Sequence, residues 1–143
     1  MTRFCKKTGY FYIFCITALI IDRGSKSWAL NNLSVYGEPS LFPFALHYND
    51  GVAFSFLKGN PQMSFLLALV VLFCFLFFYL RYNNFYSPAM MLLFAGSMGN
   101  LFDRILYGHV IDWVYVGIYI NLADVWLCLG GFFVLKNAFL EGK

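Results

Sequence analysis

Four long apolar segments follow one another along the chain, and shorter polar segments separate them. They cover about residues 8–30, 62–80, 87–107 and 120–140. Each has a length close to the roughly 20 residues that an α-helix needs to cross a bilayer. The second segment contains no charged residue. The pattern predicts an all-α membrane protein in which four transmembrane helices form a single domain over residues 1–143.

The segment between the first two predicted helices has a different pattern. Residues 31–61 are rich in Asn, Gly and Pro, which favour turns. Within it, Leu41–Leu46 and Val52–Leu57 are apolar or aromatic, and both are too short to cross a membrane. Pro43 would restrict any strand there to the edge of a sheet. We therefore expect a small β-like cradle between helices 1 and 2, outside the bilayer.

The composition supports a chain that is surrounded by lipid. Hydrophobic residues make up 61% of the sequence and charged residues 12%, whereas a soluble domain has about 25% charged residues. Cytoplasmic loops of membrane proteins are enriched in Lys and Arg. The basic residues Arg3, Lys6, Lys7, Arg81 and Lys143 all lie on one side of the predicted bundle. This distribution predicts that both termini are cytoplasmic and that residues 31–61 and 105–119 face outward.

Charge and cysteine usage argue against two other classes of protein. The net charge is +3, but the basic residues are scattered and form no stripe, so we expect no nucleic-acid partner. The four cysteines include no CxxC pair, which predicts neither a disulfide framework nor a zinc site.

The acidic residues are concentrated at one depth of the predicted bundle. Of seven in the chain, four lie at the outward ends of predicted helices: Asp22, Asp103, Asp112 and Asp124. Ionisable groups in a membrane are costly and usually functional, so we expect a polar site near the outer leaflet. Each residue also has a structural explanation. Asp22 and Lys26 are spaced as a helical ion pair, and Asp103 with Arg104 could form an interfacial pair.

Helical spacing indicates which residues share a face. Gly96, Gly99, Asn100 and Asp103 fall at i, i+3, i+4 and i+7 of the third helix. The glycines would allow close approach of another helix or of a substrate backbone. The alternative is a packing seam with incidental polar ends. On the fourth helix, Asn121 and Asp124 are three positions apart and also share a face.

Two carboxylates held close together suggest acid–base chemistry. They cannot both ionise, so one keeps a proton while the other stays charged. The charged member can activate water, and the neutral one can polarise a carbonyl or protonate a leaving amine. We weigh this against a small proton-coupled transporter or channel, and against a purely structural membrane subunit. A metal bound by Asp112, Asp124 and His109 would lack any known motif spacing, so we expect no metal.

Five short motifs occur in the order found in one family. They are Asp22-Arg23-Gly24-Ser25-Lys26, Tyr48-Asn49-Asp50-Gly51-Val52-Ala53-Phe54-Ser55, Gly96-Ser97-Met98-Gly99-Asn100-Leu101-Phe102-Asp103-Arg104, Gly108-His109-Val110-Ile111-Asp112-Trp113 and Asn121-Leu122-Ala123-Asp124. Together they resemble the lipoprotein signal peptidases (signal peptidase II), a bacterial family of four-span aspartic peptidases. The resemblance extends over nearly the whole chain.

The resemblance implies a function and a set of site residues. The catalytic pair would be Asp112 and Asp124. The residues that hold the pair and the substrate would be Asp22, Lys26, Asn49, Gly51, Ala53, Phe54, Gly99, Asn100, Asp103, Arg104, Asn121 and Ala123. The substrate would be a prolipoprotein whose cysteine carries diacylglycerol, cleaved just before that cysteine. The protein would act in the bacterial cytoplasmic (inner) membrane, as a monomer in contact with membrane lipid and without a cofactor.

The chain departs from the family pattern in the link between the two aspartates. Asp124 lies only twelve positions after Asp112, which is a short link for the family. A tight turn at Gly117 would be needed to bring the two carboxylates together. A different pair, Asp103 with Asp124, is also conceivable. Because Arg104 would favour the charged form of Asp103, we prefer Asp112 as the partner that shares a proton.

Overall fold

The computed structural model describes residues 2–35, 43–51, 60–81 and 87–141. The helices are α1 (Thr2–Asn32), α2 (Pro61–Arg81), α3 (Pro88–Tyr107) and α4 (Leu122–Glu141), and the strands are β1 (Phe44–Asn49), β2 (Val110–Tyr115) and β3 (Tyr119–Ile120). The four predicted helices are therefore present at the expected places. Within the described ranges, no helix is both long and apolar enough to cross a membrane.

The ends of α3 show how the sequence sets the course of the chain. Ser87 precedes the helix in an extended conformation, and its hydroxyl accepts a hydrogen bond from the Met90 amide at 3.4 Å. Pro88 follows at the first helical position, where its missing N–H costs nothing. Gly108 ends the helix in the left-handed region, with φ of 80°, and its N–H donates to the Arg104 carbonyl. This cap directs the chain out of α3 and into β2.

The sheet differs from the prediction in its origin. We expected a small β-like cradle between helices 1 and 2. In the described residues β1 comes from that segment, whereas β2 and β3 come from the link between α3 and α4. All pairs are antiparallel, in the order β1-β2-β3. The contribution of β2 and β3 was not predicted, because periodicity identifies a strand only within one segment and cannot reveal a partner far along the chain.

Two details of the sheet agree with the prediction. Pro43 immediately precedes β1, which is an edge strand, and its carbonyl accepts a hydrogen bond from the Tyr115 amide at 2.9 Å. Gly117 adopts φ of 95° in the turn between β2 and β3, a conformation that glycine tolerates best. The second expected strand segment, Val52–Leu57, lies outside the described residues.

One face of the sheet rests on the end of α1. Ala29 of α1, Leu46 of β1 and Ile111 of β2 form a buried cluster. Trp113 of β2 packs edge-on against Trp28 of α1, with ring centroids 5.8 Å apart. Because Ile111 and Trp113 face α1, Asp112 between them faces the other way, where its carboxylate contacts Asn49 of β1 and Asn121 before α4.

Close contact between α3 and α4 depends on glycine. A Cβ added at Gly96 would lie 2.5 Å from the Ala123 carbonyl oxygen and 2.7 Å from Leu127 Cγ. A Cβ at Gly130 would lie 2.7 Å from Leu93 Cγ. The two helices therefore come close where glycine has no side chain. This confirms the predicted glycine face as a packing surface. The same face continues into the polar residues Asn100 and Asp103.

We predict that Gly96→Ala destabilises the protein, because the new methyl group would meet backbone that cannot move aside. The expected loss is about 1–3 kcal/mol of unfolding free energy, the usual cost of overpacking. Thermal unfolding in detergent would measure it. Gly131→Ala is the matched control, since a Cβ there meets nothing within 4 Å. Equal melting temperatures for the two variants would contradict the proposed contact.

Candidate active site

A cluster of polar side chains is buried where the helix ends meet the sheet. Asp22, Lys26, Asp103, Asp112 and Asn121 are each at most 1% exposed. Buried charges are tolerated only when they are paired and hydrogen-bonded. The partners of each group therefore determine what the cluster can do.

Asp112 lies in β2 with both carboxylate oxygens occupied by amide donors. Asn49 Nδ2, at the end of β1, donates to Asp112 Oδ2 at 3.0 Å. Asn121 Nδ2 donates to Asp112 Oδ1 at 2.6 Å. The pairing of β1 with β2 places these groups together, because Asn49 and Val110 are partners in the ladder.

Asp124 is part of the cap of α4. Asn121 precedes the helix, and its side-chain oxygen accepts from the Asp124 amide at 3.1 Å. In return, Asp124 Oδ2 accepts from the Asn121 amide at 3.1 Å. This reciprocal arrangement is a capping box, so the Asn-x-Ala-Asp motif has a local structural cause. The other oxygen, Asp124 Oδ1, accepts from Asn100 Nδ2 of α3 at 2.8 Å.

Asn121 joins the two aspartates directly. Its amide oxygen holds the backbone of Asp124, while its amide nitrogen donates to Asp112. The hairpin that turns at Gly117 brings the short link back far enough for both contacts. The expected fold-back of the chain is therefore present.

Three asparagine amides have orientations that their partners determine. The Asn49 oxygen accepts from the Gly51 amide at 2.9 Å, and the Asn121 oxygen accepts from the Asp124 amide. The Asn100 oxygen accepts from Lys26 Nζ at 3.3 Å. Each of these partners can only donate, so each amide must present its NH₂ group to an aspartate. Asp112 and Asp124 thus accept hydrogen bonds from oriented amides.

Two cations of the cluster, Arg23 and Lys26, bind the other two aspartates. Lys26 Nζ lies 2.9 Å from Asp22 Oδ2 and 2.7 Å from Asp103 Oδ2. Arg23 pairs with the second oxygen of Asp103. The predicted helical pair of Asp22 with Lys26 is confirmed. The suggested pair of Asp103 with Arg104 is wrong, because adjacent residues of a helix do not face each other.

Backbone donors complete the coordination of these two aspartates. Asp22 Oδ1 accepts from the Ala123 amide in the first turn of α4 at 3.1 Å. Asp103 Oδ2 accepts from the Ile111 amide of β2 at 3.2 Å. Asp22 therefore ties α1 to α4, and Asp103 ties α3 to the sheet.

Arg104 connects α3 to the chain after β1. One guanidinium nitrogen donates to the Gly51 carbonyl at 2.7 Å, and the other donates to the Asn100 carbonyl at 3.2 Å. Because the Gly51 amide in turn holds the Asn49 side chain, Arg104 supports the group that donates to Asp112.

Most of the predicted site residues are brought together. Gly99 lies so close to α1 and α4 that an added Cβ would be 2.8 Å from Asp22 Oδ2 and 3.1 Å from Ala123 Cβ. Ala53 and Phe54 lie outside the described residues. His109, the third residue of the suggested metal set, contacts the Tyr48 ring at 4.7 Å between centroids.

The sequence alone predicts no role for Arg23 or for the Ile111 amide. Arg23 was visible only as a charged residue inside a predicted helix, which is itself a signal of function. Its 29% exposed side chain also lies over the Tyr107 ring, with 5.9 Å between Cζ and the centroid. The Ile111 contact involves backbone alone, so no residue type could have indicated it.

The proton affinity of Asp112 is unusual for a carboxyl group. Burial, and after it the nearby negative charge of Asp124, raise the pKa of Asp112 from 3.8 to about 7. The amides of Asn49 and Asn121 and the charge of Lys26 act in the opposite direction. A carboxyl group with this pKa can hold a proton near neutral pH and release it again.

The balance of charges in the cluster also favours one bound proton. Asp22, Asp103, Asp112 and Asp124 supply four carboxylates in the described part of the chain, and Arg23, Lys26 and Arg104 supply three cations there. One negative charge is left over, and a single bound proton would neutralise it. The arrangement can therefore carry one ionised and one protonated carboxyl group at Asp112 and Asp124.

Comparison with known proteins gives matches over most of the chain. The family model described as signal peptidase (SPase) II matches residues 14–140. A lipoprotein signal peptidase of Cronobacter sakazakii (strain ATCC BAA-894) is 38% identical over 144 aligned positions, covering 90% of this chain and 87% of the relative. A lipoprotein signal peptidase of Klebsiella aerogenes is 36% identical and covers 100% and 97% of the two chains.

Solved structures share the fold. A bacterial membrane enzyme determined by the in meso method at 2.3 Å resolution has a TM-score of 0.81 at 24% identity, covering 94% of this chain and 90% of that one. A second, at 1.9 Å resolution, has a TM-score of 0.75 at 26% identity and covers 90% and 92%. Because the family model and these relatives match nearly the full length, the chain belongs to the signal peptidase II family and is a peptidase.

Proposed function

We propose that the protein is an aspartic endopeptidase that removes the signal peptide from diacylglyceryl-modified prolipoproteins. It cleaves just before the lipidated cysteine, using water activated between Asp112 and Asp124. The observation that carries the proposal is that one residue, Asn121, donates to both carboxylates: its side-chain amide donates to Asp112 Oδ1 and its backbone amide donates to Asp124 Oδ2. Its relatives are named lipoprotein signal peptidases, which supports the substrate class.

The pair would act with one proton between its members. The ionised carboxylate takes a proton from water, and the water oxygen adds to the carbonyl carbon of the scissile bond. The protonated carboxyl group gives its proton to the carbonyl oxygen, forming a tetrahedral diol. When the C–N bond breaks, the amine leaves with a proton and the new carboxyl group forms. Water is consumed and the pair returns to one proton.

The partners of each aspartate support this choice of pair. Asp103 is held by Arg23 and Lys26, and Asp22 is held by Lys26 and the Ala123 amide. A neighbouring cation stabilises the ionised form, which makes a carboxylate a poor proton donor. Asp112 and Asp124 accept from neutral amides instead, so either one can keep the proton.

The distribution of side chains supports a position in the bacterial inner membrane. Large apolar side chains such as Phe73, Phe77, Phe132 and Phe139 are more than 60% exposed, while the charged groups of the cluster are buried. Soluble proteins rarely expose so many apolar residues. With both termini in the cytoplasm, the ends of α1 and α3 and the sheet lie near the outer leaflet. The scissile bond would then meet the aspartates at the membrane surface.

We predict that Asp112→Asn and Asp124→Asn each lower kcat by at least about a hundredfold, because each removes one member of the proton-sharing pair. The assay is cleavage of a diacylglyceryl-modified precursor in detergent. Asp50→Asn is the matched control, since it also neutralises an aspartate next to Asn49 but lies outside the cluster. Normal cleavage by Asp112→Asn together with loss of cleavage in folded Asp103→Asn would mean that the pair is wrongly assigned.

The raised pKa of Asp112 predicts a pH dependence with a definite sign. The active pair needs one proton, and a carboxyl group with a pKa of about 7 loses that proton as the pH rises. The value of kcat/KM should therefore fall above pH 7, by about tenfold per pH unit when one proton is required. A pH profile with the lipidated precursor measures this. A value of kcat/KM that stays constant from about pH 6 to about pH 9 would contradict this prediction.

We also predict that an unlipidated precursor is a much poorer substrate. The acyl chains partition into lipid with about 0.8 kcal/mol per CH₂ group and concentrate the precursor beside the enzyme. The comparison uses a precursor with the lipidated cysteine and the matched Cys→Ser precursor, which cannot be modified. We expect kcat/KM to differ by at least about tenfold in vesicles. Equal rates for the two precursors would refute lipid-dependent recognition.

A further inference from the structure

Lys26 has the largest side chain among the fully buried ones in the described residues. Its ammonium group lies 2.9 Å from Asp22 and 2.7 Å from Asp103, and these two carboxylates would suffice to compensate its charge. The third contact is different, because Nζ donates at 3.3 Å to the neutral amide oxygen of Asn100. The ammonium group therefore has two charged partners and one neutral partner.

The contact with Asn100 has a consequence for Asp124. An ammonium group cannot accept a hydrogen bond, so the Asn100 oxygen must face Lys26 and its NH₂ group must face Asp124. The resulting hydrogen bond to Asp124 Oδ1 is 2.8 Å long. If the amide turned over, its oxygen would face a carboxylate and repel it. Lys26 thus selects the orientation in which Asn100 supports the pair.

We propose that Lys26 is a positioning residue for the pair of Asp112 and Asp124. It orients the Asn100 amide toward Asp124, and its buried positive charge prevents the pair from taking up a second proton near neutral pH. This inference rests on the proposed function. It goes beyond that function by stating that Lys26, which does not contact either aspartate of the pair, limits the pair to one proton.

The other charged groups that the structure describes around the pair cannot replace Lys26. From α1, Asp22 adds negative charge and the partly exposed Arg23 binds the far oxygen of Asp103. From α3, Arg104 is committed to the carbonyls of Gly51 and Asn100. From β1, His47 pairs with Asp112 in the ladder, where its ring stacks on Tyr119. Of the three cations here, Lys26 is the one that contacts an amide which donates to the pair.

The experiment separates the charge of Lys26 from its role as a donor. Lys26→Met removes both, whereas Lys26→Gln removes the charge and keeps an amide that can donate to Asn100. Arg23→Gln removes a neighbouring cation that touches no asparagine. For each variant, kcat/KM is measured against pH with the lipidated precursor. In parallel, the carboxyl carbons of ¹³C-labelled aspartate are titrated by NMR, with Asp112→Asn and Asp124→Asn used to assign them.

We expect both limbs of the pH profile of Lys26→Met to move upward by about one pH unit or more, because loss of a nearby cation raises carboxyl pKa values. Its kcat should fall by at least about tenfold, because the support of Asp124 is lost. Lys26→Gln should show the same shift with a smaller loss of kcat. The limbs of Arg23→Gln should stay within about 0.3 pH units of wild type.

A double variant guards against a failure to fold. Lys26→Met alone leaves two carboxylates without their shared cation, a change that often destabilises a protein strongly. Asp22→Asn/Lys26→Met removes one charge of each sign, so it should lower kcat without moving the limbs. Wild-type limbs and wild-type kcat in folded Lys26→Met would overturn the inference, and so would wild-type kcat in the double variant. If wild-type protein cleaved no precursor, the proposed function would fail, and the NMR titration would still decide the role of Lys26.

Discussion

Buried carboxylates must be supplied with hydrogen-bond donors, and the arrangement of this molecule follows from how donors reach Asp112 and Asp124. Among the described residues, neither aspartate has a cation as its direct partner. Each instead accepts from amides, those of Asn49 and Asn121 for Asp112 and those of Asn100 and Asn121 for Asp124. Amide donors hold a carboxylate in place without committing it to the ionised form, which suits the proton-sharing pair that we propose.

The secondary structure brings these donors to the two aspartates. The sheet brings Asn49 beside Asp112, although the two residues are far apart in sequence. The cap of α4 brings Asp124 within reach of Asn121, and Asp22 fixes the same turn of α4 to α1. The cations contact other groups, and Lys26 compensates the negative charges of Asp22 and Asp103. Positive charge is thus close enough to limit the proton uptake of the pair and too far away to bind either member.

The parts of this arrangement that depend on local sequence could be predicted. The four apolar segments predicted the helices, and the ends of α3 at Ser87-Pro88 and Gly108 are likewise determined by neighbouring residues. The helix α1 begins earlier than its apolar run, at Thr2, since hydropathy indicates burial in lipid and polar residues can continue a helix. The spacing of Asp22 and Lys26 correctly indicated an ion pair within one helix.

The parts that depend on distant partners could not be predicted. Adjacent charges suggested Asp103 with Arg104, whereas the partners of Asp103 come from α1. The strand β2 lies in the predicted link between helices 3 and 4, and its pairing could not be predicted because its partner β1 belongs to a distant segment, between α1 and α2. The orientations of the amides of Asn49, Asn100 and Asn121 follow from single donors such as Lys26 Nζ, and only the three-dimensional structure identifies those donors.

The most direct test of the account asks where the oxygen of the attacking water goes. A single turnover of lipidated precursor in H₂¹⁸O would be followed by mass spectrometry of both the released signal peptide and the peptides that contain Asp112 and Asp124. If the pair activates water directly, one ¹⁸O atom enters the new carboxyl group of the signal peptide and none enters the enzyme. Incorporation of ¹⁸O into either aspartate would mean that a carboxylate attacks the substrate itself, and it would contradict the account.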